Sequence, residues 1–491
     1  MKDFGLESLS TQQLWIGGTK GIESALPGWT PGSGELSLDL MMRRCLSRVT
    51  SLLTTALVIP LAYSQPSGLI ARFDDFLTKA MEQDHVPGGA AIVVLGERVQ
   101  YERASGLASL DTGQPMTAET LFRISGLSKV TTAVTLAVLA AEGKLQLDAP
   151  IGEQWKAVPG FLSRLTLRQL VQDRAGIRDE HVNFSVSGRE SLRQYILRWD
   201  DKYVIAGPGR FRSHSSAGAN LAAAVAEQVE GADFADLLDS RLVQPLGMHR
   251  TTLRVLEAMT YPFTQGYAVD GGSPVIVRPF AANWIGWPSS SVFSCARDSA
   301  ILLGVLVNNG RWDGKQLLPE RVVRETLSLL ESSGDGSFVG GHSWFDGRSD
   351  FVIVPQHHFG VIYLRNGGTA RVNVTAAARA AWLGETIPPP SEPESEDLGP
   401  DEMQRLAGAY WNEHTLQLAV RGGKLYYRDQ GAWYLRASEW ALVRKAGEHR
   451  YVAGPAGTDF AAIPDANGNA RYLRVGSRVF RRQPSGNAQL H

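Results

Sequence analysis

The sequence predicts an α+β protein followed by a small all-β barrel or sandwich. Three observations carry that expectation. Apolar strands paired into hairpins lie among long buried helices. A proline-rich acidic stretch interrupts the chain near residue 390. Short alternating strands fill the tail beyond that stretch. A length of 491 residues points to two or three domains. At 43% apolar and 20% charged residues the chain can build a large core, which excludes disordered, collagen-like and disulfide-framework classes. Its 49 basic and 50 acidic residues leave a net charge of −1, so no global electrostatic argument favours nucleic acid or an anionic membrane. Two cysteines, Cys45 and Cys295, make neither a disulfide scaffold nor, alone, a structural zinc site.

Residues 1–40 lack periodicity and read as loop. Met41-Met42-Arg43-Arg44 then leads into an apolar run from Val49 to Leu61, closed by Ala62-Tyr63-Ser64. A basic stretch, a short apolar run and small residues at the cut make a secretory signal peptide over 41–64. The run is too short for a membrane span. Residues 1–40 are then either an extension ahead of a true start at Met41 or Met42, or a disordered N-terminal arm. Cys45 lies before the apolar run, so cleavage leaves Cys295 alone. An exported chain without disulfides fits a bacterial periplasm or exterior.

Ile70 to Gln83 reads as a helix with Phe73, Phe76, Leu77 and Ala80 on one face. Ala90 to Leu95 and Arg98 to Ala104 form a hairpin across Gly96-Glu97. Gly126 to Glu142 is a long apolar helix closed by Gly143. Thr166 to Gln172 and Ala217 to Val229 are further helices, and Ser294 is the expected cap of another that reaches Val307. Phe351 to Val354 and Phe359 to Leu364 make a second hairpin, and Ala376 to Leu383 a final helix. Ile387 to Pro400 holds five prolines and four acidic residues and reads as a stiff, exposed linker. The expected domains are 65–385, a linker over 386–402 and a small β-barrel over 403–485.

Several ordered motifs carry a family resemblance. They are Val86-Pro87-Gly88-Gly89-Ala90, Phe122-Arg123-Ile124-Ser125-Gly126-Leu127-Ser128-Lys129, Leu167 to Ile177, Gln244-Pro245-Leu246-Gly247-Met248, Ser294-Cys295-Ala296-Arg297-Asp298 and Leu317-Leu318-Pro319-Glu320. Over roughly residues 70–383 the chain resembles the serine β-lactamase and penicillin-binding-protein-like superfamily, with its class C β-lactamases, DD-peptidases, D-aminopeptidases and esterases. The resemblance implies a β-lactamase/transpeptidase-like fold: an antiparallel sheet flanked by helices, plus a helical subdomain. The tail resembles the β-barrel that many members append.

The family's chemistry uses Ser-x-x-Lys at the start of the buried helix, where i, i+3 spacing lets the lysine help deprotonate the serine. Here Lys129 is present, but Gly126 stands three residues before it and Ser125 one residue earlier still. The family's Tyr-x-Asn loop matches His214 and Ser216, and its Lys/His-x-Gly strand matches His342 with Trp344 in place of the small glycine. Loss of nucleophile, relay and glycine together implies relaxed selection on hydrolysis. The first expectation is therefore an exported serine hydrolase-like protein that binds a peptidoglycan-type, peptide or ester ligand without hydrolysing it. Gly126, Ser216, His342 and Trp344 would line its cleft. The alternative is an active atypical hydrolase using Ser125, Lys129 and His214, since a histidine is a better base near neutrality than a tyrosine. A third reading is a structural envelope protein whose barrel is the working part.

Each of these residues also has a plain structural reading. Ser125 caps the helix, Lys129 pairs with a carboxylate in the old cleft, and His214 sits solvated on a serine-rich turn. His342 reads evenly as pocket-lining or structural. His357-His358 is expected in an exposed hairpin turn, and Asp179-Glu180-His181 lacks the spacing of a metal site. Trp382, Trp411, Trp433 and Trp440 read as core or barrel residues. The resemblance implies no cofactor and a metal-free acyl-enzyme route in active members. It implies a small-molecule or peptidoglycan-type ligand, no nucleic acid, and no membrane span once the signal peptide is removed.

Overall fold

The computed structural model describes residues 68–179, 192–278, 280, 286–330, 332–344, 347–369, 371–385, 395–430, 439–454 and 458–484. The signal-like segment, Glu180, His181 and Trp433 lie outside them. A six-stranded antiparallel sheet organises the first two thirds. Its strands are β1 (Gly88–Leu95), β2 (Arg98–Ser109), β3 (Gln114–Pro115), β4 (Phe338–Trp344), β5 (Gly347–Val354) and β6 (Phe359–Arg365), in the order β4-β5-β6-β1-β2-β3. β1 and β6 are apolar up to Arg365 and buried along almost their whole length, because both faces of the sheet are covered. On one face Ala90, Ile92, Val94, Ile362 and Leu364 join the main core, with helices α2 (Leu127–Ala141), α4 (Ser216–Glu230) and α5 (Ala296–Val307). On the other, Ala91, Val93, Val361 and Tyr363 pack on α1 (Leu69–Gln83) and α7 (Val374–Leu383). There Phe73 meets the rings of Tyr101 and Trp382 edge-on, each at 5.0 Å between centroids. Period-two alternation along β1 thus assigns each side chain to one of two cores.

α2 is the buried centre of the molecule. Leu127, Ala133, Val134, Leu136, Ala137 and Leu139 are fully enclosed. Helix α3 (Leu167–Val171) begins with a capping box between Thr166 and Gln169. Helix α6 (Glu320–Leu329) packs against α2 through Val322, Val323 and Leu329. The expected cap at Ser294 is corrected: Cys295 is the N-cap of α5, its Sγ accepting from Asp298 N at 3.4 Å. Ser294 instead lies in a two-residue strand and meets the Thr251 hydroxyl at 2.8 Å. Burial pushes the Cys295 thiol up to about 12, so it packs as a small apolar group. His357 and His358 are exposed as expected.

The tail is a closed antiparallel barrel rather than a sandwich. Its strands are β7 (Gly408–Trp411), β8 (Thr415–Arg421), β9 (Lys424–Asp429), β10 (Ala441–Gly447), β11 (Arg450–Ala453), β12 (Thr458–Pro464), β13 (Ala470–Val475) and β14 (Arg478–Arg482). Closure leaves no sheet edge to manage. Tyr410, Tyr427, Tyr451, Phe460 and Phe480 fill the interior, and Met403 and Leu406 of helix α8 (Pro400–Leu406) join them. The end of the proline-rich stretch is not free spacer: Glu396 exchanges two backbone hydrogen bonds with Lys445, and Pro400 opens α8. The sheet region and the barrel belong to one compact unit.

Glu227 of α4 is a buried carboxyl. Burial raises it to about 7 and Asp233 adds to the rise, against the pull of the Phe234 N–H and Arg193. A group whose proton is held more tightly in the folded state stabilises fully below its unfolded pKa near 4.5, and that contribution is lost as pH rises through about 7. Glu227→Gln should therefore flatten the decline of stability between pH 4.5 and 7, by up to about 3 kcal/mol. Urea midpoints measured across that range check it; an unchanged slope contradicts the assignment.

Candidate active site

The site begins where the chain turns into α2. Ile124 N donates to Val292 O at 2.9 Å, which pins the approach. Ser125 then takes φ +42°, in the left-handed region that costs a side-chain-bearing residue about 1–2 kcal/mol. Gly126 follows with right-handed helical angles, φ −58° and ψ −26°. The backbone thus has the conformation of a glycine followed by a helix-starting residue, while the side chains stand in the reverse order. Ser125 is fully buried, and its Oγ has no hydrogen-bond partner among the described residues. The capping expectation for Ser125 is corrected: Gly126 is the N-cap and no side chain of α2 caps it. Ser349 of β5 does part of that work, accepting from Leu127 N at 3.4 Å and donating to Ile124 O at 2.6 Å.

Lys129, in the first turn of α2, points to a carboxylate. Its Nζ lies 2.7 Å from Asp173 Oδ1, with side-chain exposures of 14% and 6%. Asp173 sits just beyond α3, with φ +59°. Gly176, at φ +71°, lets its carbonyl accept from both Ile205 and Ala206; a Cβ there would stand 2.2 Å from Ala206 O. That close approach fixes the loop bearing Asp173 and Asp179. Burial raises Asp173, and the charges of Lys129 and Arg212 and the Ser215 N–H pull against it. The pair places a buried carboxyl against the lysine's amine and offsets charge in a poorly solvated site.

His214 is not the solvated turn residue its sequence context predicts. Its Nδ1 lies 3.5 Å from Lys129 Nζ and 3.7 Å from Asp173 Oδ2, and its Nε2 lies 3.9 Å from Asp179 Oδ2. Its backbone N–H donates to Ser477 O of the barrel at 2.8 Å. Ser216 is the first residue of α4, and its N–H donates to Asp179 Oδ1 at 2.6 Å. The structure therefore brings Lys129, His214 and Ser216 around two buried aspartates, and it leaves the Ser125 hydroxyl outside that set. His342 and Trp344 lie in β4 opposite Ser349 and Gly347; their side chains are outside the described residues. No cluster of three or more metal-ligating side chains occurs among the described residues.

Sequence reasoning missed Asp173, Asp179, Ser349 and the barrel's Arg478. Arg478 Nη2 lies 2.8 Å from Asp179 Oδ2 and its Nε 3.0 Å from Glu413 Oε1. Asp173 lies inside the Leu167 to Ile177 motif already singled out, and that placement was the available signal. The reversed Ser125-Gly126 pair makes a sharp expectation. Ser125→Gly removes a left-handed side chain and a buried unpaired hydroxyl together, and should raise stability by about 1 kcal/mol. Chemical denaturation measures it; a loss of stability contradicts the geometry.

The β-lactamase family profile matches residues 73–385. The chain is 30% identical over 217 residues to Esterase EstB of Burkholderia gladioli, covering 40% of this chain and 55% of that one. It is 25% identical over 381 residues to penicillin-binding protein 4 of Amycolatopsis lactamdurans, covering 70% and 96%. Among solved structures it resembles SurE with a TM-score of 0.70 at 21% identity, over 85% of this chain and 99% of that one. That structural likeness extends past the sheet region into the barrel. With the profile spanning well over half of its length, and with its sheet, buried helix and lysine in the family's order, the chain belongs to the β-lactamase family.

Proposed function

We propose that this protein is an exported member of the family whose hydrolytic step is lost and whose residual cleft binds a peptidoglycan-type, peptide or ester ligand. The carrying observation is the start of α2: Gly126 holds the helix-starting position while the neighbouring Ser125 hydroxyl is sealed. The Lys129–Asp173 ion pair supports the same reading, because it engages the group that would activate a nucleophile. Removing a serine hydrolase's nucleophile typically lowers the rate by about 10⁶. The relatives named an esterase and a penicillin-binding protein support the ligand class. Export rests on the signal-like pattern of residues 41–64; among the described residues no helix is long and apolar enough to cross a membrane.

A second reading keeps Ser125 as nucleophile with Lys129 and His214. Its support is the left-handed backbone at Ser125, since strained backbone gathers at functional sites. Intact-mass analysis after a fluorophosphonate, and separately after penicillin, separates the two. The expected result is an unmodified mass in the wild type and in Ser125→Ala alike. A stoichiometric adduct that disappears in Ser125→Ala would overturn the proposal and install the second reading.

A further inference from the structure

The barrel meets the cleft loop through a continuous set of bonds. Val479 N donates to Ser213 Oγ at 3.0 Å, immediately before His214. Asn412, fully buried, accepts from Asp179 N at 2.6 Å and donates to Val479 O at 2.8 Å. Phe211 packs edge-on to Tyr472 at 5.0 Å, with Ala206 and Val479 in the same cluster. Arg178 lies over the ring of Tyr203 at 4.2 Å and that of Trp411 at 5.1 Å. Arg478 enters this interface from β14 as a partly buried charge, which calls for paired partners.

Those partners are arranged in series. One oxygen of Asp179 takes the Ser216 N–H, and the other takes Nε and Nη2 of Arg478. Arg478 also bonds Glu413, which lies 3.4 Å from His414 Nδ1; His414 Nε2 in turn lies 3.2 Å from Asp429. Burial would lower His414, but hydrogen bonds to Asp429 and Glu413 outweigh it and push it up to about 9. A chain of charged and titratable groups therefore runs from Asp173, Lys129 and His214 through Asp179 and Arg478 to the barrel's Glu413, His414 and Asp429. Asp179 is the hinge of the chain: it holds the start of α4 with one oxygen and faces His214 with the other.

We propose that the cleft is a two-domain site in which Arg478, supplied by the barrel, is a positioning residue that holds Asp179 and through it the His214–Ser216 segment. The inference deepens the reading of the cleft as a ligand site and rests on it. Among the described residues, the groups facing His214 include Lys129 from α2, Asp173 and Asp179 from the loop beyond α3, and Arg212 beside Asp173. Behind Asp179 stand Arg478 and Glu413 from the barrel. Removing the Arg478 cation takes positive charge away from Asp179 and Glu413, which favours the imidazolium form of His214.

The test tracks the His214 imidazole by nitrogen NMR across pH in the full chain, with His214→Gln to assign its signal. Arg478→Gln should raise the His214 midpoint by about one pH unit. Arg478→Lys should raise it by less, because a point charge replaces a bidentate fork. Asp179→Asn should lower it. Arg450→Gln, which removes an exposed barrel ion pair with Asp459, should leave it in place. A purely structural role for Arg478 would lower the melting temperature without moving the midpoint, and that result overturns the inference. Should Arg478→Gln fail to fold, Arg478→Lys and Asp179→Asn decide it, and unmoved midpoints in both overturn it. An acyl adduct in the mass experiment would sink the reading that hydrolysis is lost while leaving the titration result standing.

Discussion

The buried pair between Lys129 and Asp173 is the interaction on which the rest of the site depends. Two opposite charges in a low-dielectric interior are tolerable only together, and each then dictates where the other's element must lie. Lys129 brings the first turn of α2. Asp173 brings the end of α3, and its carboxylate also takes the Ser215 N–H while its carbonyl takes the Ser213 N–H. One ion pair thus ties together the buried helix, the loop beyond α3 and the segment leading into α4. In a hydrolase the same lysine serves a neighbouring hydroxyl. Here the side chains around it neutralise its charge and hold backbone.

The geometry at Ser125 and Gly126 sets the two side chains apart. The left-handed position falls where the serine stands, and the right-handed start of the helix falls where the glycine stands. A hydroxyl in the first position is carried into the core without a partner; one in the second would stand at the half-exposed head of the helix. Side-chain order within this dipeptide therefore decides whether a hydroxyl is sealed in the core or stands at the head of α2.

Much of the fold was legible because it obeys local rules. Apolar runs paired across tight turns located β1, β2, β5 and β6, and the apolar run from Gly126 located α2. The turn residues of the tail announced a small β domain, though not whether it closed. Other features were illegible because their causes are long-range. Cys295 rather than Ser294 caps α5, since Ser294 is drawn into a strand pairing and a bond with Thr251. His214 read as a solvated turn residue because nothing nearby in sequence shows that a barrel more than 260 residues later covers it. Lys129, Gly126 and His214 were found by their places in motifs. Asp173, Asp179 and Arg478 were not, because their meaning lies in partners 44 and 299 residues away.

A double-mutant cycle on Lys129→Met and Asp173→Asn tests most directly the claim that the lysine is committed to this carboxylate. Each single substitution takes the nearest opposite charge from a largely buried group and should destabilise by about 3 kcal/mol. The double substitution should fall short of the sum by about 2 kcal/mol, the signature of a direct contact. Two nearly neutral single substitutions that simply add would mean that Lys129 is not engaged by Asp173, and would contradict the account.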